Sequence, residues 1–369
     1  MNIGTFVGLV ALVSIAAAAV VWIRRYFDST PLDSYHPGKA HTHGKFGCKF
    51  DRDEVNRTRD QKRPRIDTND LTPDPAVAQI LAAISDSDVR KTILDLSGEQ
   101  PFQLGGQSVQ LTSRNSYHNG LEIAMRYLEQ FYSALGCKFE RHSYKRRGKE
   151  MFNLIVEFRG TVNPEKVLIV GAHLDSTAGN PWSTENRAPG ADDDGSGTAG
   201  LMEMARALKK MRPGCTVRLC HFTGEEQGLY GSYAYSDKVA AEKTQVIAMI
   251  EMDMIGYCNR PGNRVDVHDD QDRNGSHTLV ELMTRVAARY NLGLNVFDTH
   301  NFAVHDRSDH AGFLDHGYKA VLVSEEFTDE GFTPYYHTVQ DRIDKLNFPY
   351  MLNVMRMVLG AIIELAECK

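Results

Sequence analysis

Short, predominantly apolar runs separated by stretches of helical periodicity constrain this chain more than anything else in it. Phe152–Phe158, Val167–Gly171, Thr216–Phe222, Gln245–Met252 and Ala320–Ser324 have the length and composition of strands. Gly197–Lys210, Ser276–Tyr290 and Phe348–Cys368 read as helices between or after them, and Ala76–Leu96 and Asn119–Leu135 as helices ahead of them. In Asn119–Leu135 the residues Leu121, Ala124, Leu128, Phe131 and Leu135 share one face, and Gly136 closes the helix. Strands and helices in alternation predict an α/β fold, a mostly parallel twisted sheet flanked by helices on both faces. In such a sheet ligands collect beyond the carboxyl ends of the strands.

The 369 residues suffice for one catalytic domain at 75–369 with an appendage ahead of it. A net charge of −6, with no sustained basic stripe, gives no electrostatic footprint for nucleic acid, so no such partner is expected. The cysteines (Cys48, Cys137, Cys215, Cys220, Cys258, Cys368) show no C-x-x-C spacing, which argues against a zinc ribbon or a disulfide framework.

Residues 1–26 read as a membrane anchor or signal. The apolar run Ile3–Ile23, residues 3–23, is about 21 residues long, enough to span a hydrocarbon core of roughly 30 Å as a transmembrane helix. Ala16–Ala19 offers a small-residue cleavage site, but no basic residue precedes the run, and Val20–Ile23 continues it; an uncleaved single-pass anchor is the preferred reading. Arg24, Arg25 and Lys39 follow the span and by the positive-inside rule would hold the downstream domain in the cytoplasm. Residues 27–74 are polar, broken by Pro and Gly and without apolar periodicity, and read as a linker in which His41 and His43 are solvated rather than metal-binding.

Chemistry concentrates where the predicted strands end. His173-Leu174-Asp175 follows one strand, and alone is weak evidence, since a histidine beside an aspartate is commonly a satisfied structural hydrogen bond. Asp192-Asp193-Asp194 lies among glycines, Glu225-Glu226 follows another strand, and Asp253 and His337 complete the set. Adjacent carboxylates repel and are expensive to hold unless a cation compensates them. Two imidazoles with three carboxylates and no thiolate suit zinc, with cobalt or manganese possible and calcium disfavoured. Two divalent cations against Asp193, Glu226, Asp253 and one bridging hydroxide sum to zero charge, whereas one cation leaves an excess of negative charge. Such a pair, about 3.5 to 4 Å apart, acidifies water and polarises a carbonyl, which predicts hydrolysis of an acyl bond.

With these motifs, the chain from about residue 78 to its end resembles the M28 family of zinc peptidases, the co-catalytic bacterial aminopeptidases in particular. The resemblance implies a zinc-dependent exopeptidase-like fold and two Zn2+ per chain. Residue by residue, it implies that Asp193 bridges the ions, that His173 and Asp253 hold one and that Glu226 and His337 hold the other. It makes Glu225 the general base and places Asp175 behind His173, orienting the imidazole through the nitrogen that binds no metal. Asp194 and Ser308-Asp309-His310 match family motifs that support the site, and Tyr336, next to the last histidine, is the expected oxyanion donor. A subgroup that carries a tyrosine flanked by a disulfide before the Ser-Asp-His motif is not matched: His305 stands there, with Ala303 and Arg307 in the cysteine positions.

The expected activity is an aminopeptidase acting on peptides with a free N-terminus, with Met254, Ile255, Phe302, Phe327 and Tyr335 as candidates for an apolar pocket. A glutaminyl-peptide cyclotransferase would keep one zinc; the presence of both His173 and Asp253 argues for two. A carboxypeptidase for acidic residues would need an arginine cluster, for which Arg187 and Arg307 are the nearby candidates. A non-catalytic membrane-tethered receptor module would be expected to lack several ligands, and none is missing. The family's usual surface exposure implies an extracytoplasmic catalytic domain, against the positive-inside reading.

Overall fold

The structure, a computed structural model, describes residue 64 and residues 71–299 and 304–368. The expected anchor at 1–26, most of the expected linker, and Phe302 and Ala303 lie outside the described residues. Two helices, α1 (Pro75–Ala82) and α2 (Asp86–Leu96), stand where the sequence predicts one. The break has a local cause: the Asp74 carboxylate accepts the Ala76 and Val77 amides at the start of α1, and the Ser85 hydroxyl accepts the Asp88 amide to begin α2 afresh. A small hairpin of β1 (Phe102–Leu104) and β2 (Gln107–Val109) follows, then α3 (Gly120–Ala134).

The remaining elements are β3 (Lys138–Arg146), β4 (Lys149–Phe158), β5 (Asn163–His173), α4 (Gly195–Leu208), β6 (Cys215–Phe222), α5 (Tyr230–Ala241), β7 (Gln245–Met252), β8 (Arg264–His268), α6 (His277–Arg289), β9 (Asn295–Asp298), α7 (Ala311–Asp315), β10 (Ala320–Ser324) and α8 (Phe348–Leu365). They form a sheet in the order β3-β4-β6-β5-β7-β10-β8-β9. The expectation of a mostly parallel sheet holds in part, for the centre and for β8 with β9. The centre, β6-β5-β7-β10, is parallel, but β4 runs antiparallel to β6, β3 to β4 and β8 to β10. β3 escapes sequence reasoning because Lys138–Arg146 carries charge along its length. It is held as an edge strand by the two-residue turn Arg147-Gly148, both at positive φ (45° and 76°), which forces the antiparallel pairing.

Helices cover both faces. On β5, Leu168 and Val170 pack into one core with Leu201 of α4, Val280 of α6 and Val358 of α8, while Val167 and Ile169 point the other way toward Val239 of α5 and Phe313 of α7. Alternation of side chains with period two, buried on both sides, is why this strand reads as an unbroken apolar run. α8 is long and apolar enough to cross a membrane, yet 72% of it is buried inside the domain, where it serves as a core helix. Parallel register brings the carboxyl ends of β5, β6 and β7 to one edge, with His173 opposite Phe222 and Gly171 opposite Glu251.

Candidate metal centre

His173 is the last residue of β5 and is buried. Asp194 caps α4: one carboxylate oxygen accepts the Gly197 amide at 2.8 Å and the other accepts the His173 amide at 3.0 Å, so the start of α4 is tied to the end of β5 and Asp193 is carried between them. A side chain on Gly197 would run into the Met252 carbonyl and the Asp194 carboxylate, so the glycine lets α4 begin against the end of β7. Past β6, Gly224 at φ 72° turns the chain so that Glu225 and Glu226 face the same point. Asp253 lies one residue beyond β7, its amide donated to Val323 of β10 at 3.2 Å. His337 comes from the loop between β10 and α8.

The five expected ligands meet. His173 Nε2 lies 3.1 Å from Asp193 Oδ1 and 3.4 Å from Asp253 Oδ1. His337 Nε2 lies 3.2 Å from the other oxygen of Asp193, Oδ2, and 3.0 Å from Glu226 Oε2. His173–Asp193–Asp253 and Asp193–Glu226–His337 are therefore two donor sets, each with its ligand atoms within 4.8 Å of one another and with Asp193 common to both. Glu225 joins His173 and Glu226 in a third such group. Asp193 Oδ2, Glu226 Oε1 and Asp253 Oδ1 are buried and receive no hydrogen bond, and buried carboxylate oxygens are rarely left so. Imidazole and carboxylate donors with orphaned oxygens fit divalent cations of the zinc type.

The electrostatics agree with that fit. Burial, reinforced by Asp193, pushes the Glu226 carboxyl up to about 7, and burial with Glu226, Asp253 and Asp309 pushes Glu225 well above its ordinary value. Burial lowers His337, but Glu226 and Asp193 outweigh it and raise the imidazole to about 10. In His173 too, burial opposes and the carboxylates of Asp253, Glu225 and Asp193 prevail, so it is raised. Burial would raise Asp193, yet the two histidines hold it below the usual range. Without cations, protons on the imidazoles and carboxyls are the available compensation for this concentration of acid.

Residues that sequence reasoning did not single out hold the ligands in place. The Asp341 carboxylate accepts the amides of Asp192 and Asp193 at 2.9 and 3.1 Å. Arg114 is fully buried and spends its guanidinium on the carbonyls of Leu174 (2.7 Å), Leu96 (2.9 Å), Pro189 (2.7 Å) and Gly190 (2.9 Å), clamping the loop after β5 to the loop before Asp193. Neither carries a local motif; both act through backbone groups remote in sequence. The Ser308 hydroxyl donates to Asp253 Oδ2 at 2.7 Å, which gives the Ser-Asp-His motif its supporting contact.

Other expectations fare differently. Asp175 does not hold His173 through its side chain: the hydrogen-bonding distance from His173 Nδ1 is to the Asp175 backbone carbonyl, 3.0 Å, and the carboxylate is 3.9 Å away. That carboxylate accepts instead from the Ser116 hydroxyl at 3.0 Å and the Glu225 amide at 3.3 Å, so it positions the glutamate loop. Tyr336 stacks on His337 with ring centroids 3.6 Å apart, among the carboxylates of the site. Of the pocket candidates, Ile255 belongs to the main core and Phe327 packs on Val304, Leu322 and Phe332. Arg187 is exposed, and His305 pairs with Asp270 at 2.9 Å.

Comparison with known proteins places this geometry. The sequence profile of Peptidase family M28 matches residues 153–362. Leucine aminopeptidase 1 of Paracoccidioides brasiliensis (strain Pb03) is 29% identical over 323 residues, covering 80% of this chain and 78% of the relative. The share of a curated relative that is matched falls to 51% in other cases, so the chain spans between about half and three quarters of the relatives' length. Among solved structures, the LapA aminopeptidase of Legionella pneumophila is similar with a TM-score of 0.63 at 22% identity, covering 82% of this chain and 78% of that one. A glutaminyl cyclase of Fimbriiglobus ruber is similar with a TM-score of 0.59 at 20% identity, covering 81% and 99%. At these identities the structural likenesses establish a shared fold. The profile match spans more than half of the chain, and the chain belongs to peptidase family M28, a family of zinc metallopeptidases.

Proposed function

We propose that this protein is a di-zinc aminopeptidase that removes N-terminal residues from peptides. The observation that carries the proposal is the placement of Asp193, whose two oxygens face His173 and His337 at 3.1 and 3.2 Å, one toward each donor set. His173 and Asp253 would hold one ion and Glu226 and His337 the other, with Asp193 shared. Two zinc ions in these sets would acidify water and polarise the scissile carbonyl.

The chain's own groups account for the proton transfers. Glu225, ionised once cations occupy the neighbouring donor sets, takes a proton from the attacking water and passes it to the leaving amine as the C–N bond breaks. The Asp175 carboxylate holds the Glu225 amide and so fixes where the base stands. Burial and the surrounding carboxylates keep the Tyr336 hydroxyl protonated, so it can donate to the developing oxyanion.

The enzyme loaded with zinc should cleave leucine amides faster than lysine amides, leave N-acetylated peptides intact, and lose activity on chelation with recovery on zinc addition. Cleavage of acetylated peptides would contradict a strict aminopeptidase. Conversion of an N-terminal glutamine peptide to its pyroglutamyl form, without hydrolysis, would favour the cyclotransferase reading that the Fimbriiglobus ruber neighbour suggests. We also propose that Ile3–Ile23 tethers the enzyme to a membrane with the catalytic domain on the extracytoplasmic side. External protease on intact cells should then digest the domain, and protection would reverse the orientation.

A further inference from the structure

A second set of metal-compatible side chains lies away from the central site. β8 is antiparallel to β10, so the carboxyl ends of β8 and its parallel neighbour β9 emerge at the sheet edge opposite the one that carries His173 and Asp253. Asp269, one residue past β8, and Asp298, the last residue of β9, meet there with His277, the first residue of α6. His277 Nδ1 is 2.9 Å from Asp298 Oδ2 and 3.5 Å from Asp269 Oδ2. The aspartate side chains are 2% and 0% exposed and the imidazole 34%, so the cluster is closed by protein on its acidic side and reachable from solvent on the other. Each residue offers one ligand atom, and these atoms lie within 4.8 Å of one another.

The contacts at His277 are what a cation would organise. Its Nδ1 carries at most one hydrogen and can serve one carboxylate at a time. Its Nε2 faces Glu281 Oε1, 3.6 Å away and one helical turn on. An outer carboxylate beside the distal nitrogen is the arrangement that fixes the tautomer of a metal-bound histidine and turns the other lone pair toward the ion. With the hydrogen on Nε2, that lone pair converges with two buried carboxylates. The amino end of α6 adds about half a positive charge beside them. One imidazole and two carboxylates without thiolate favour zinc over calcium.

We propose that Asp269, His277 and Asp298 form a structural zinc site that ties the ends of β8 and β9 to the start of α6. It is independent of the central site and of the aminopeptidase reading, and its test uses zinc itself. In a chain whose central site is disabled by His173→Ala and His337→Ala, added zinc should still raise the unfolding temperature, and introducing Asp298→Asn should abolish that rise. In the otherwise unaltered chain, His277→Gln should lower bound zinc by about one equivalent after dialysis while peptidase turnover is retained, which also reports that the variant is folded. Unchanged zinc content in His277→Gln, or a zinc-dependent rise that survives Asp298→Asn, would mean that the three residues form only an ion pair at the helix start, and would overturn the proposal.

Discussion

At the scale of single residues, Asp193 and Glu225 divide the work. Asp193 donates its amide to Asp341 and reaches both donor sets, whereas Glu225, grouped with His173 and Glu226, is the base in the reading given above. Glu225→Gln should therefore lower kcat by about 10²- to 10⁴-fold with zinc content preserved, measured as turnover beside metal analysis. Loss of zinc along with turnover would make Glu225 a ligand instead. Tyr336→Phe should lower kcat by about 10²-fold with KM little changed if its hydroxyl meets the oxyanion. An equal effect on KM would indicate a role in binding the substrate's ground state. The five side chains that come together were legible in the sequence because acids and histidines at strand ends are conspicuous. It misassigned how Asp175 acts, because whether a carboxylate or its own backbone carbonyl faces an imidazole depends on a turn that no motif encodes.

At the scale of elements, the junction of β5 with α4 decides the geometry. Asp194 satisfies the His173 and Gly197 amides together, so Asp194→Ala leaves two buried donors unmet and should cost about 2–4 kcal/mol in urea unfolding. Gly197→Ala adds a methyl group against the Met252 carbonyl and should cost about 1–3 kcal/mol while weakening zinc retention, since Asp253 follows Met252 directly. Stability equal to the parent in both variants would show that this junction is not under the constraint described. The apolar strands at the sheet centre and the long helices were legible, because burial on two faces writes hydrophobicity into every position of a strand such as Val167–Val170. β3 was not, because an edge strand with charged side chains carries little pattern. The reversal at β8 was missed too, because pairing direction is set by contacts distant in sequence.

At the scale of the whole molecule, the domain is a sheet with a buried acidic cluster at one edge, and its stability should follow the charge in that cluster. Without metal, buried carboxyls stand raised, Asp192 to about 6 and Glu226 and Asp309 to about 7, and His337 is raised to about 10. For raised carboxyls the native state holds more protons than the unfolded chain from about pH 4 up to those values, so stability falls as pH rises through that window. A raised histidine stabilises below its unfolded pKa of about 6.5 and loses that contribution as pH rises toward its folded value, which has the same sign. Asp193, held low, acts in the opposite direction at more acid pH, and His142, His221, His268 and His310, all lowered by burial, oppose the trend below about pH 6.5. Chelator-treated protein should therefore lose unfolding temperature between about pH 6.5 and pH 9, where the lowered histidines no longer oppose the fall, and zinc should restore more of it at the higher pH because binding displaces those protons. A metal-free protein that grows more stable with rising pH would contradict this. The most direct test of the central claim is anomalous diffraction at the zinc edge from crystals of the purified protein. The account predicts two peaks about 3.5–4 Å apart, one on each side of the Asp193 carboxylate; a single peak there, or none, would contradict it.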